Sequence, residues 1–220
     1  YKNLLELKSR LGLKNTPRRI ECYDISHISG KFVYGSMVTF FDGRPAKKWY
    51  RLFKTKDQNN DFANMQEVLS RRIKRYYDSQ GKTTEKGWDK PDLIIIDGGK
   101  GQLSSVVTTI SQINEEFVDQ NTCFDSELCS LAKKEELIFL PDQKEPVAME
   151  GETRFLIQRI RDEAHRFAIT NNRNARLRTA SKSELDSIPG IGGVTKTKAL
   201  KTFGSVKGLV ESLDNNQELV

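Results

Sequence analysis

The sequence predicts an α/β protein built on a mixed sheet with flanking helices, and three observations predict it. Three β-rich segments follow one another between residues 18 and 54, the order of an antiparallel meander. A short continuous apolar run, Leu93-Ile94-Ile95-Ile96, then leads through glycines straight into a helical pattern, which implies a parallel crossover between buried strands. The chain has 220 residues, 36% of them hydrophobic and 30% charged, enough for one full core plus a small accessory unit.

Taken in order, residues 1–17 read as a linker tail, because Leu4, Leu5, Leu7 and Leu11 recur at roughly helical spacing before Asn15-Thr16-Pro17 breaks the pattern. The start at Tyr1, without an initiator Met, reads as a fragment of something longer. The folded core is expected to begin near Arg18. Ile20 to Ile25, Tyr34 to Phe41 and Lys48 to Lys54 are strand-like, the last two joined through the turn signature Asp42-Gly43-Arg44-Pro45. Asn59-Asn60-Asp61 supplies a capping residue for an amphipathic helix whose stripe is Phe62, Met65, Leu69, Ile73 and Tyr76. After a polar loop from Ser79 to Lys90 come the strand from Asp92 to Asp97, the turn Gly98-Gly99-Lys100-Gly101, and a helix from about Gln102 to Phe117. Leu128 to Ala132 and Leu137 to Leu140 read as strands, and a long Arg-rich helix begins near Glu152. Strands ahead of crossovers fit an RNase H-like fold, whereas a dinucleotide fold would alternate from the start. That assigns residues 18–180 to an RNase H-like domain and residues 181–220 to a separate small all-α unit.

The net charge is +6, and the excess is uneven. Arg154, Arg159, Arg161, Arg166, Arg173, Arg176, Arg178 and Lys182 lie in one stretch opposed by Glu152, Asp162 and Glu163, which suits a polyanionic partner as well as a solvated helix face. Cys22, Cys123 and Cys129 form an odd set without the CxxC spacing of a zinc site, so they are expected to be reduced cytosolic thiols. The longest apolar runs are strand-length and bounded by charge, which excludes a membrane span of the helical kind.

Acidic and imidazole side chains appear where apolar elements end. Asp24 interrupts a strand-like run, where an inward carboxylate costs roughly several kcal/mol unless it is paired or binds metal. Asp97 closes the run before Gly98-Gly99 and fits either a site carboxylate or a turn former. If the two strands are parallel neighbours, both acids emerge at one edge and share a proton or a cation, and hard oxygen ligands favour Mg²⁺ or Mn²⁺. Such ions ready water for attack on a phosphodiester. Asp61, at a helix start, is explained equally by capping. His165 has Asp162 one turn back to orient its imidazole, which suits a metal ligand or proton-transfer group, or a packing histidine beside Leu156, Ile160, Ala164 and Phe167. His27 reads equally as a structural hydrogen-bonder at a bend formed by Ile28-Ser29-Gly30.

Gly98-Gly99-Lys100-Gly101 matches neither GxGxxG nor the P-loop pattern, so no nucleotide cofactor is expected; Lys100 and the adjacent helix-start amides suit a nucleic-acid phosphate or a plain turn. Pro189-Gly190-Ile191-Gly192, between a turn carrying Leu185 and Ile188 and a helix carrying Ala199 and Leu200, has the helix-hairpin-helix pattern. There Gly190 and Gly192 let the backbone approach a DNA phosphate, aided by Lys196 and Lys198.

These residues together closely resemble the C-terminal half of the UvrC family, the incision subunits of bacterial nucleotide excision repair. The resemblance covers nearly the whole chain from Arg18 and rests on five blocks in family order: Tyr23-Asp24-Ile25-Ser26-His27, Asn60-Asp61-Phe62-Ala63, Ile96-Asp97-Gly98-Gly99-Lys100-Gly101-Gln102-Leu103, Ile160 to Ala168, and Ile188-Pro189-Gly190-Ile191-Gly192. It implies an RNase H-like endonuclease followed by helix-hairpin-helix DNA binding, cutting the damaged strand of double-stranded DNA on the 5′ side of a lesion. By matching position, Asp24, Asp61, Asp97 and His165 are the family's catalytic set, with Asp24, Asp97 and His165 as expected metal ligands. The GIY-YIG nuclease, the UvrB-docking segment and a second glycine hairpin have no counterpart in these residues, so the fragment is expected neither to make both incisions nor to bind UvrB in the usual way. Val194 and Thr195 also stand where relatives often carry basic residues. The rival expectations are an RNase H-like nuclease for another DNA substrate, such as a junction or a deaminated base, and a non-catalytic DNA-binding scaffold.

Overall fold

The computed structural model describes residues 1–28, 32–56, 60–79, 87–117, 123–132, 137–141, 143–183, 191–204 and 206–217, and they form two compact units, Tyr1–Ala168 and Ile169–Val220. Unit one opens with α1 (Lys2–Leu11), then β1 (Arg19–Ile28) and β2 (Phe32–Phe41), and a tight turn at Asp42 and Gly43, both at positive φ, leads into β3 (Arg44–Pro45). A 3₁₀ turn (Lys47–Trp49) precedes β4 (Arg51–Lys54), followed by α2 (Asp61–Ser79), β5 (Leu93–Ile96), α3 (Lys100–Glu116), β6 (Glu127–Leu131), β7 (Leu137–Phe139), β8 (Val147–Ala148) and α4 (Gly151–Ser183).

The strands make one mixed sheet in the order β3-β2-β1-β5-β6-β7-β8, with β4 also on β2. Strands β1, β5 and β6 are parallel, the others antiparallel, so the meander and the crossovers share one sheet. Alternation along each strand sorts side chains to two cores. Ile20, Cys22, Leu93 and Ile95 face α1 and α4, whereas Tyr23, Ile94 and Ile96 face α2 and α3. The α4 stripe over the first core is Thr153, Leu156, Ile157, Ile160, Ala164 and Ala168, a 3.6-residue period.

Two expectations change. The leader is part of the core rather than a linker tail: Leu4, Leu7 and Leu11 are buried against the sheet, each contributing roughly 1.5–3 kcal/mol of burial, and Gly12 closes α1 in the left-handed conformation. The stretch from Lys48 to Lys54 is extended only from Arg51, because the chain turns at Trp49 to pack its ring edge-on against Phe41. Strand β1 continues through His27 to Ile28, paired to Val33 and Phe32, and Ser29 and Gly30 of the expected bend lie outside the described residues.

In unit two, after the end of α4, α5 (Gly193–Phe203) packs with α6 (Val206–Gln217) around buried Leu200, and Gly204 ends α5 in the left-handed conformation. Gly192 is the N-cap of α5. Pro189 and Gly190 lie outside the described residues, as does the turn carrying Leu185 and Ile188. Among the described residues no helix is long and apolar enough to cross a membrane, and Cys22, Cys123 and Cys129 are free thiols.

Candidate active site

Parallel pairing of β1 and β5 runs from Ile20 opposite Leu93 to Tyr23 opposite Ile96, so Asp24 and Asp97 are the next pair in register. The Asp97 amide donates to the Tyr23 carbonyl over 2.8 Å and locks that register at the strand ends. Both acids follow the alternation that faces α4, and neighbouring strands lie about 4.8 Å apart, so the two side chains are close neighbours on one face. Both residues are buried. Cys22, one step back on that face, registers their field: burial first, then the charges of Asp97 and Asp24, push its thiol well above the ordinary value.

Two cavities meet at Asp97. One, of about 290 Å³, is lined by Asp24, Ile25, Asp61, Phe62, Asp97, Gly98, Gly99, Gly101 and Gln102. The other, of about 270 Å³, is lined by Asp97, Arg161, Asp162 and His165. Helix α2 brings Asp61 from one side of the sheet and α4 brings His165 from the other. His165 Nδ1 stands 3.9 Å from Asp24 Oδ2, beyond hydrogen-bond reach, and the imidazole is 65% exposed. Asp162 does not orient that ring. It accepts instead from Arg161 Nε at 3.1 Å and Nη2 at 2.9 Å, its direct neighbour on the helix surface.

Asp61 is not the cap of α2. Asn60 is, its Oδ1 accepting from the Phe62 and Ala63 amides, each at 3.1 Å. The Asp61 carboxylate is thereby released from capping and accepts from His27 Nε2 at 2.8 Å. An ionised carboxylate accepts only, so that contact is a hydrogen bond when the imidazole has a proton on Nε2. His27 is thus a site-side residue that sequence spacing leaves without a distinct role: odd spacing from Asp24 puts it on the opposite face, toward α2.

The Gly98–Gly101 turn is shaped by two side chains. A Cβ on Gly98 would stand 1.5 Å from Gln102 Oε1, so only glycine lets the Gln102 carboxamide fold over the turn into the cavity wall. A Cβ on Gly101 would come within 3.1 Å of the Phe62 ring. Lys100 points elsewhere, its Nζ donating to the Lys144 carbonyl at 3.4 Å, and it does not line the carboxylate cavity.

Of the basic residues, Arg161 lines the second cavity, while Arg166 is held by Glu163, at 2.6 and 2.7 Å, on a wider open cleft with Phe155 and Arg159. Glu163 is itself tethered by the Tyr50 hydroxyl, which donates over 3.0 Å. Arg173 is on α4, with its side chain outside the described set. On α5, Lys196 is half-buried and Lys198 is exposed. By donor chemistry the carboxylate cavity fits a hard dication, since three carboxylates line it and no thiol does. Among the described residues no group of three or more His, Cys, Asp or Glu side chains is already placed to hold a metal ion.

Comparison with known proteins was made against this geometry. Residues 8–169 match the UvrC RNase H endonuclease domain family. The UvrABC system protein C of Desulfatibacillum aliphaticivorans is 42% identical over 224 residues, covering 96% of this chain and 34% of that protein. Its counterpart in Gloeobacter violaceus is 44% identical over 213 residues, covering 93% of this chain and 32% of that protein. The chain therefore spans about a third of the length of the curated relatives it matches. Among solved structures, Ciona intestinalis endonuclease V in complex with a 24mer DNA containing an inosine followed by a ribo-adenosine aligns over 80% of this chain and 100% of that one, at 9% identity and a TM-score of 0.38, a likeness too distant to bear on function.

Proposed function

The chain belongs to the UvrC RNase H endonuclease domain family, and we propose that it is a cytoplasmic, metal-dependent DNA endonuclease module of nucleotide excision repair that hydrolyses a phosphodiester on the 5′ side of a lesion. The observation that carries this reading is the placement of Asp24 and Asp97 side by side just past the point where the parallel pairing of β1 and β5 ends, on a cavity that Asp61 also lines.

Asp24 and Asp97 would hold Mg²⁺ or Mn²⁺, with His165 at the Asp24 side and Asp61 completing or orienting the set. Such an ion supplies Lewis-acid polarisation of the phosphodiester and an acidified water. The chain's own groups do the rest. His27 holds Asp61 toward the cavity through the 2.8 Å hydrogen bond. His165, exposed at the rim, would ligate the metal or give a proton to the departing 3′ oxygen, leaving 3′-hydroxyl and 5′-phosphate ends. Arg161 and Arg166 would offer cationic groups to the DNA backbone beside the cavities; Arg173 on the basic helix, and Gly190, Gly192, Lys196 and Lys198 of the helix-hairpin-helix pattern, would supply further phosphate contacts. UvrB would be engaged through segments outside this chain.

Nicking of supercoiled plasmid with Mg²⁺, Mn²⁺ or chelator, by the parent and by Asp24→Asn and Asp97→Asn, tests the reading. The expected result is metal-dependent nicking that falls on the order of 10²–10³-fold in either variant while duplex binding persists. Parent and variants nicking equally would leave a non-catalytic scaffold as the better account, and undiminished preference for undamaged junction or deaminated DNA would move the substrate.

A further inference from the structure

We propose that Phe62 is a stacking platform for a nucleobase next to the phosphodiester that is cut, so that the module favours strands carrying an unstacked nucleotide at that point. Helical spacing places Phe62 on the apolar stripe of α2 with Met65, Leu69 and Ile73. Those three are fully buried, whereas Phe62 is 48% exposed. Its ring does not fold into the core but lines the cavity that Asp24, Asp61 and Asp97 share. The ring is held from two directions. The Phe62 amide is fixed by Asn60 Oδ1 at 3.1 Å, and Gly101 lets the ring edge lie against the first turn of α3, where any Cβ would press within 3.1 Å of Cε1 and 3.3 Å of Cζ.

A rigid aromatic face left in water at the edge of a carboxylate cavity forgoes burial that the same residue could gain by turning inward. A nucleobase restores it. Bases carry a flat π-face on every nucleotide, and stacking on an aromatic side chain tolerates any sequence. In a regular duplex both faces of each base are already covered by neighbours, so the platform acts only where the stack is interrupted. A ring that merely sealed α2 against α3 would work equally well as leucine.

The inference rests on the nuclease reading in placing the cut phosphodiester among the carboxylates, and it is tested with and without cutting. For the 220-residue chain, kcat/KM is measured on a duplex with a three-nucleotide bulge and on the same duplex fully paired. Phe62→Ala and Phe62→Leu are expected to lower the bulged-to-paired ratio about tenfold, within the range of one base–aromatic stack, while Phe62→Tyr and Phe62→Trp retain it. The same ratio is read as Kd by fluorescence anisotropy in the Asp24→Asn background, where failure of the chain to nick at all leaves the Phe62 result intact. Retention of the ratio by Phe62→Leu, or an equal loss on both duplexes by Phe62→Ala with the leucine variant folded by its melting temperature, overturns the proposal.

Discussion

Glu21 and Asp24 stand three residues apart on β1, on opposite faces of the sheet, and the fold treats the two buried carboxylates differently. At Glu21 the surroundings bring cations: Arg72 of α2 donates to both of its oxygens at 2.9 and 3.0 Å, Arg19 adds bonds at 2.9 and 3.2 Å, and the Tyr23 hydroxyl donates at 2.7 Å. The remaining guanidinium protons reach the carbonyls of Gly87, Trp88 and Asp89. Burial alone would raise the Glu21 pKa, but Arg72 and Arg19 override it and hold the carboxyl below its ordinary value. At Asp24 the neighbouring strand adds a second carboxylate, at the wall of a cavity. A buried charge is therefore no mark of a site by itself; a charge set beside its like on an open cavity is.

Glu21→Gln should break the first half of that contrast most strongly. It leaves Arg72 buried against a neutral amide and should cost roughly 3–5 kcal/mol in urea unfolding, with nicking per folded molecule within about twofold of the parent. The pH dependence sharpens the point. Because the folded-state pKa of Glu21 lies below the ordinary 4.5, its contribution is present above that pH and lost as pH falls through the folded value, so the acid limb of stability below about pH 4.5 should flatten in Glu21→Gln.

At the other end, Gly98→Ala should cost less than about 1 kcal/mol, because the flexible end of Gln102 can swing aside, and should reduce nicking by moving that carboxamide off the cavity wall. Asn60→Ala should cost about 1 kcal/mol of thermal stability by removing the α2 cap, and should loosen Asp61 and Phe62 together. Asp24→Asn should have the smallest effect on folding: a melting temperature equal to or above the parent's, because it relieves repulsion with Asp97. A marked fall in that melting temperature would show that Asp24, like Glu21, is there to hold the fold.

The same contrast explains what was legible from residues alone. Strand β5 and the acid that closes it follow from local pattern, since the four-residue apolar run Leu93–Ile96 ahead of Asp97 has few other readings. The α4 stripe through Leu156, Ile160 and Ala164 is equally local. The capping residue is not: Asn60 and Asp61 are adjacent and chemically equivalent as caps, and the choice depends on His27, 34 positions away, being there to receive the carboxylate. Phe62 reads as core because periodicity cannot tell a stripe position that meets the sheet from one that overhangs its edge. Residues 1–17 read as a tail because a ten-residue helix has no reason to be stable alone, and only the sheet face waiting for Leu4, Leu7 and Leu11 makes it part of the core.

Period and turn chemistry are properties of each segment, so the chain alone decides which segments are strands and helices, and that Asp97 closes an apolar strand. Which groups meet is a property of pairs far apart in sequence. Register places Asp24 beside Asp97, packing of α2 on β1 gives Glu21 its Arg72 and Asp61 its His27, and α4 brings His165 to the rim; each needs the assembled sheet, because the energy of two charges depends on a distance that no local pattern encodes.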